Sequence, residues 1–174
     1  MPYARSLLPT LIAALLVLAA PAAAQQPAPP TCAAPEHRQF DFWVGTWEVT
    51  NPAGQVVGTN RVDSILAGCA VQEHWEGAGG NVGESYNTWD RRRGVWHQTW
   101  VDNAGTLLLL EGGLEGDAMV LRGETRGQNG ATTMQRITWR RVDGDPDRVR
   151  QHWESSTDGG STWSTLFDGS YTRR

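Results

Sequence analysis

Four residue pairs define the chemistry open to this chain. Glu73 stands two positions before Trp75, Asn87 before Trp89, Gln98 before Trp100 and Gln151 before Trp153; Ser85 extends the second set and Trp96 the third. Side chains two apart in a strand share a face. Each pair therefore presents a flat ring beside a hydrogen-bonding group, which is the composition of a binding pocket: rings to hold a small hydrophobic or planar guest, amides or a carboxylate to orient it. The nine tryptophans exceed what a core of this size needs. The same pattern admits a filled interior, in which the rings are buried and the amides satisfy neighbouring strands. Period alone does not say which face is interior, because a one-residue slip inverts the assignment.

Other titratable groups widen the options. Glu73 with Asp102 or Glu154 is a candidate acid/base pair for a hydrolase-like enzyme. His74, His97 and His152 share no short ligand spacing, and His74 and His97 fall on the face opposite the Glu73/Trp75 and Gln98/Trp100 sets. No catalytic or metal-ligating set is assigned. The chain holds no G-x-S-x-G, H-E-x-x-H or Cys/His nucleophile arrangement. All 15 cations are Arg, so Schiff-base and P-loop lysines are excluded. With a net charge of −4 and one basic cluster, Arg91-Arg92-Arg93 in a turn, the chain lacks the basic face that nucleic-acid binding needs. That cluster fits a solvated loop tip, or the contact surface of an envelope interaction module with a filled core.

The elements that must position these residues read as strands. Residues 1–24 form a signal peptide, with Arg5, an apolar run from Leu7 to Ala20 and the small-residue site Ala22-Ala23-Ala24. Residues 25–35, rich in Pro, Ala and Gln, form a flexible tether, and 36–174 a single domain with no stretch long enough for a membrane helix. Export to the periplasm or beyond makes Cys32 and Cys69 one disulfide. One short helical turn is expected at 35–41. Turn signals then separate ten candidate strands: 42–50, 55–65, 69–77, 82–90, 94–102, 105–112, 117–126, 131–142, 147–157 and 161–172. Connections this short force antiparallel neighbours, and ten such strands close into an up-and-down β-barrel, with a two-sheet sandwich as the alternative. Ser156 to Trp163 resembles the Asp-box hairpin of sialidase propellers; occurring once, it serves as fold punctuation through Asp158 and Trp163.

Phe42-Trp43-Val44-Gly45-Thr46-Trp47-Glu48-Val49 resembles the first strand of the calycin superfamily (lipocalins, fatty-acid-binding proteins and nitrobindins), which begins with Gly-x-Trp. Residues 36–174 also resemble a group of uncharacterised bacterial secreted proteins, through Phe40 to Trp47, Trp96-His-Gln-Thr-Trp-Val-Asp102 and the terminal Asp-Gly-Gly-x-Thr-Trp with Phe167 to Tyr171. The resemblance implies a calycin-like barrel binding a small ligand, with Gly45 and Trp47 structural at one end. It implies an Arg over the Trp47 ring, supplied by Arg173 or Arg174. The helices that fatty-acid-binding proteins insert after their first strand are missing, since only the turn Asn51 to Gly54 stands there. Haem, which nitrobindins hold through a late-strand His, has His152 as its one candidate ligand, on the face opposite Trp153.

Overall fold

A computed structural model describes residues 32–174; the expected signal peptide, residues 1–24, and residues 25–31 of the expected tether lie outside that range. Ten antiparallel strands close into one barrel: β1 (Gly45–Thr50), β2 (Val56–Ile65), β3 (Ala70–Gly77), β4 (Val82–Asp90), β5 (Val95–Asp102), β6 (Leu107–Glu115), β7 (Ala118–Arg126), β8 (Thr132–Arg141), β9 (Arg148–Ser156) and β10 (Ser164–Arg173). Each strand pairs with the next, and β10 returns to β1 with Trp47 opposite Arg173 and Val49 opposite Tyr171. The sandwich alternative is thereby excluded. Closure leaves no edge strand, because every ladder has a partner on both sides.

The chain enters the barrel differently from the sequence expectation. Residues 42–44 are not strand: the chain runs as two 3-10 turns, Pro35–Arg38 and Asp41–Trp43, and β1 starts at Gly45. The physical reason is the spacing of Phe40 and Trp43, both fully buried. Residues three apart share a side on a 3-10 turn but face opposite sides of a strand. Both rings thus enter one mouth of the barrel, where Phe40 stacks on Trp43 (5.0 Å between centroids) and meets Trp96 (5.6 Å) and Trp139 (5.2 Å) edge-on. Gln39 Oε1 accepts from Trp96 Nε1 at 3.0 Å and tightens this plug.

Beneath the plug lies Trp47, whose Nε1 donates to the Trp43 carbonyl at 2.9 Å. The Arg173 guanidinium sits 4.3 Å from the Trp47 ring centroid and donates to the Val44 carbonyl at 3.1 Å. Gly45, at φ +154°, makes this possible, since a Cβ there would collide with that guanidinium. Of the two expected arginines, Arg173 takes the place over the ring; Arg174 instead pairs with Glu48 at 2.7 Å.

Cys32 and Cys69 are disulfide-bonded across 37 positions and tie the plug segment to the chain just before β3. Closing a loop of that length stabilises by about 4 kcal/mol in the chain-entropy account. No helix among the described residues is long and apolar enough to cross a membrane. The β9–β10 hairpin is held by Asp158, whose Oδ1 accepts from the Thr162 amide (2.9 Å) and whose Oδ2 accepts from the Thr162 hydroxyl (2.7 Å). Trp163 packs back on it, with Nε1 donating to Gly160 O (3.1 Å) and Arg136 over its ring at 4.0 Å. Two further boundaries move by three residues: β10 starts at Ser164, and β6 runs through Gly112-Gly113 to Glu115, because both glycines pair in register with Leu121 and Val120 of β7 and the turn falls at Gly116.

Candidate functional site

Alternation carries the polar residues of the four pairs to the inside of the barrel. Glu73 is 4% exposed, Gln98 2%, and Ser85 and Asn87 are fully buried. Register then joins them sideways, with Glu73 opposite Ser85, and Asn87 opposite Gln98. The result is one directional chain. Gln98 Nε2 donates to Asn87 Oδ1 (2.8 Å), Asn87 Nδ2 to Ser85 Oγ (3.0 Å) and Ser85 Oγ to Glu73 Oε2 (2.6 Å). From β2, Asn60 Nδ2 donates to Glu73 Oε1 at 2.7 Å. The chain ends on one carboxylate, while Asn87 Nδ2 also donates to the Val71 carbonyl at 3.1 Å.

This polar wall faces a cavity of about 570 Å³. Six of the nine predicted residues line it: Glu73, Trp75, Gln98, Trp100, Gln151 and Trp153. Ser85 and Asn87 do not; they stand behind Glu73 and Gln98 and fix their orientation. Trp89 lies apart from the cavity, directly opposite Trp96 near the plugged end, and packs against the core. The cavity runs toward the other end of the barrel, where Asn51, Pro52, Gly79, Asn81 and Leu166 of the β1–β2 loop, the β3–β4 loop and β10 line it.

Several wall residues carry no signal in the four-pair pattern. Tyr171 and Phe167 of β10, Leu108 of β6 and Ile137 of β8 complete the lining. Tyr171 donates its hydroxyl to Gln151 Oε1. Burial first, then the nearby Glu73 charge, raises the Tyr171 phenol well above its ordinary range, so it stays protonated. Burial also dominates at Glu73, whose carboxyl rises from 4.5 to about 7 although Ser85 and Asn60 pull it down. A buried carboxyl titrating near neutrality, open to a cavity, is an uncommon arrangement and costly to maintain without purpose.

Two glycines keep the interior hollow. A Cβ at Gly83 on β4 would overlap the benzo ring of Trp100, and one at Gly58 on β2 would meet that of Trp75 at 2.6 Å. Each ring thus lies back against the wall where the neighbouring strand offers no side chain.

The remaining candidates fall elsewhere. Glu154 faces outward, bound by Arg136 at 2.9 Å, and so cannot pair with Glu73. Asp102 caps its own turn, accepting from the Ala104 amide (2.9 Å) and the Thr106 amide (3.0 Å), and is not part of the lining. The paired-carboxylate expectation is corrected: only Glu73 of the three borders the cavity. His74 lies beside Glu84 and His97 beside Glu111, each at 3.3 Å, on the outer surface. His152 is also outside, with Nε2 2.9 Å from Thr165 Oγ1. Among the described residues the lining contains no His, Cys or Met, and these residues do not fit a haem held by the late-strand histidine. In the Arg91–Arg93 turn, Arg93 is engaged by Asp90 (2.7 Å) and Glu111 (2.6 Å).

No family model matches this sequence, and no curated protein matches it.

Proposed function

We propose that this is an exported, calycin-like barrel protein that binds a small hydrophobic or planar ligand in its Trp-lined, partly polar cavity. One observation carries the reading: an interior space of about 570 Å³, walled by Trp75, Trp100 and Trp153 and floored by hydrogen-bonded polar groups. That volume lies within the range of small-molecule sites, and mostly apolar walls with a few fixed polar groups are their usual make-up. Calycin kinship draws support from Gly45-x-Trp47 under the Arg173 guanidinium. A periplasmic or secreted location draws support from the leader-like residues 1–24 and the Cys32–Cys69 disulfide, a bond that persists in oxidising compartments.

The test is titration of tryptophan emission with the neutral dye N-phenyl-1-naphthylamine, followed by lipid, aromatic and sugar panels. Saturable quenching at one site per chain is expected; an unchanged spectrum across every probe would sink the reading. A second reading rests on Glu73, since a cavity carboxyl with a pKa of about 7 suits general acid/base catalysis. Glu73→Gln that keeps dye binding but loses a turnover seen in the parent protein would favour it. An interaction module with a filled core is disfavoured by the cavity.

A further inference from the structure

Resting on that binding reading, we propose that the cavity selects an organic cation: an arylalkylamine whose ammonium group sits against the Glu73 carboxylate while its apolar body lies among Trp75, Trp100 and Trp153.

Charge balance gives the first argument. Among the described residues the lining contains two carboxylates, Glu73 and Asp168, and no Arg, Lys or His. Asp168 is already neutralised by Arg150, with Nε and Nη2 both at 2.7 Å. Glu73 has no cation partner among the described residues; its two hydrogen bonds come from a neutral amide and a neutral hydroxyl. An anionic guest would meet uncompensated negative charge, and a cationic one would supply the missing counter-ion.

Hydrogen-bond inventory gives the second. A carboxylate accepts about four hydrogen bonds, and Glu73 receives two. Gln98, which borders the cavity, uses its Nε2 on Asn87 and Ser85, while its Oε1 meets no donor among the described residues. Asn60 Oδ1, behind Glu73 and outside the lining, meets no donor among the described residues. The Tyr171 hydroxyl is spent on Gln151. Around Glu73 and Gln98 acceptors are thus in surplus, with Gln151 Nε2 an unspent donor across the lining among the described residues, and an ammonium brings three donors and no acceptor.

The walls supply the third argument. Indole faces attract cations through their quadrupole, more strongly once water is excluded. Trp75, Trp100 and Trp153 provide three such rings around the space that Glu73 borders.

A pH dependence follows. With Glu73 at about 7, an amine that stays charged binds more tightly as pH rises, by roughly 30-fold from pH 5.5 to pH 8. Tyr171 from β10 is the titratable group facing Glu73 and remains protonated in this window; Asn60 from β2 and Ser85 from β4 bring no charge.

The experiment compares three indoles that differ in head group: tryptamine, tryptophol and indole-3-propionate. Affinities are measured by calorimetry on the mature protein and on Glu73→Gln. Tryptamine should bind at least tenfold more tightly than tryptophol, indole-3-propionate most weakly, and Glu73→Gln should erase both the tryptamine preference and its pH dependence. Gln98→Leu, which leaves the carboxylate in place, should reduce the preference several-fold and guards against misfolding of the first variant. Equal or tighter binding of the propionate, or a preference that survives Glu73→Gln, overturns the inference. If N-phenyl-1-naphthylamine binds and none of the indoles does, the cation assignment falls while the cavity reading stands; if the dye also fails, both fall.

Discussion

At the scale of single residues, Glu73 links the cavity to stability. Its folded-state pKa of about 7 lies above the ordinary 4.5, so between those values the native protein holds a proton that the unfolded chain has released. Stability then falls as pH rises through this window and levels off above it, by roughly 3 kcal/mol at 1.36 kcal/mol per unit. Glu73→Gln should flatten this slope and raise stability at pH 8 by about 2–3 kcal/mol, read as urea midpoints at pH 5 and pH 8. Asp158 has the opposite sign. Hydrogen bonds from Thr162, backbone then side chain, and from Ser156 hold its carboxyl down to about 2. Its contribution is present above pH 4 and is lost as pH drops toward 2, so Asp158→Ala should lower the melting temperature by about a few degrees at pH 7 and by less near pH 2. Much of the polar wall was legible: Glu73, Gln98 and Gln151 each stand two residues before a Trp, and strand parity brings them inside. Asn60 and Tyr171 lack that marker, and their places depend on which strands β2 and β10 meet.

At the scale of elements, the hollow interior depends on what neighbouring strands leave out. Gly83 gives Trp100 room against the wall. Gly83→Ala should push the ring into the cavity, weakening dye binding at least tenfold while costing about 1–3 kcal/mol, the usual range for overpacking. The plug is a separate element with a larger share of the core. Trp43→Ala should cost about 3–5 kcal/mol by thermal or urea unfolding. Strand positions were readable because turns rich in Gly, Asn and Asp punctuate the sequence with fixed chemistry. The turn at Pro35–Arg38 falls within the helical turn expected at 35–41, but the second, Asp41–Trp43, was not legible, because Phe40 to Val49 has the aromatic and β-branched make-up of a strand; the spacing of Phe40 and Trp43 is the one feature that argues otherwise. Gly112-Gly113 misled in the other direction, since paired glycines signal a turn locally but accept strand pairing when a partner is in register.

At the scale of the whole molecule, closure was legible from ten short-looped strands, because an open meander would expose two long edges. The hollow centre was not, because cavity volume depends on the cross-barrel placement of Trp75, Trp100 and Trp153, which no local pattern encodes. Closure also determines how the ring comes apart. The β1–β10 ladder runs only from Trp47 opposite Arg173 to Thr50 opposite Ser170, the shortest in the barrel. Across it lie the Arg173 guanidinium on Trp47 and the Arg174–Glu48 ion pair, linking positions 126 apart. Native-state fluctuations should therefore begin at this seam, and amide hydrogens of β1 and β10 should exchange with deuterium before those of β7 and β8. Arg173→Ala should speed exchange at the seam and leave the far wall protected. A ring held at its shortest junction by two arginines opens there first, and the breathing of the barrel becomes a local event with a known address.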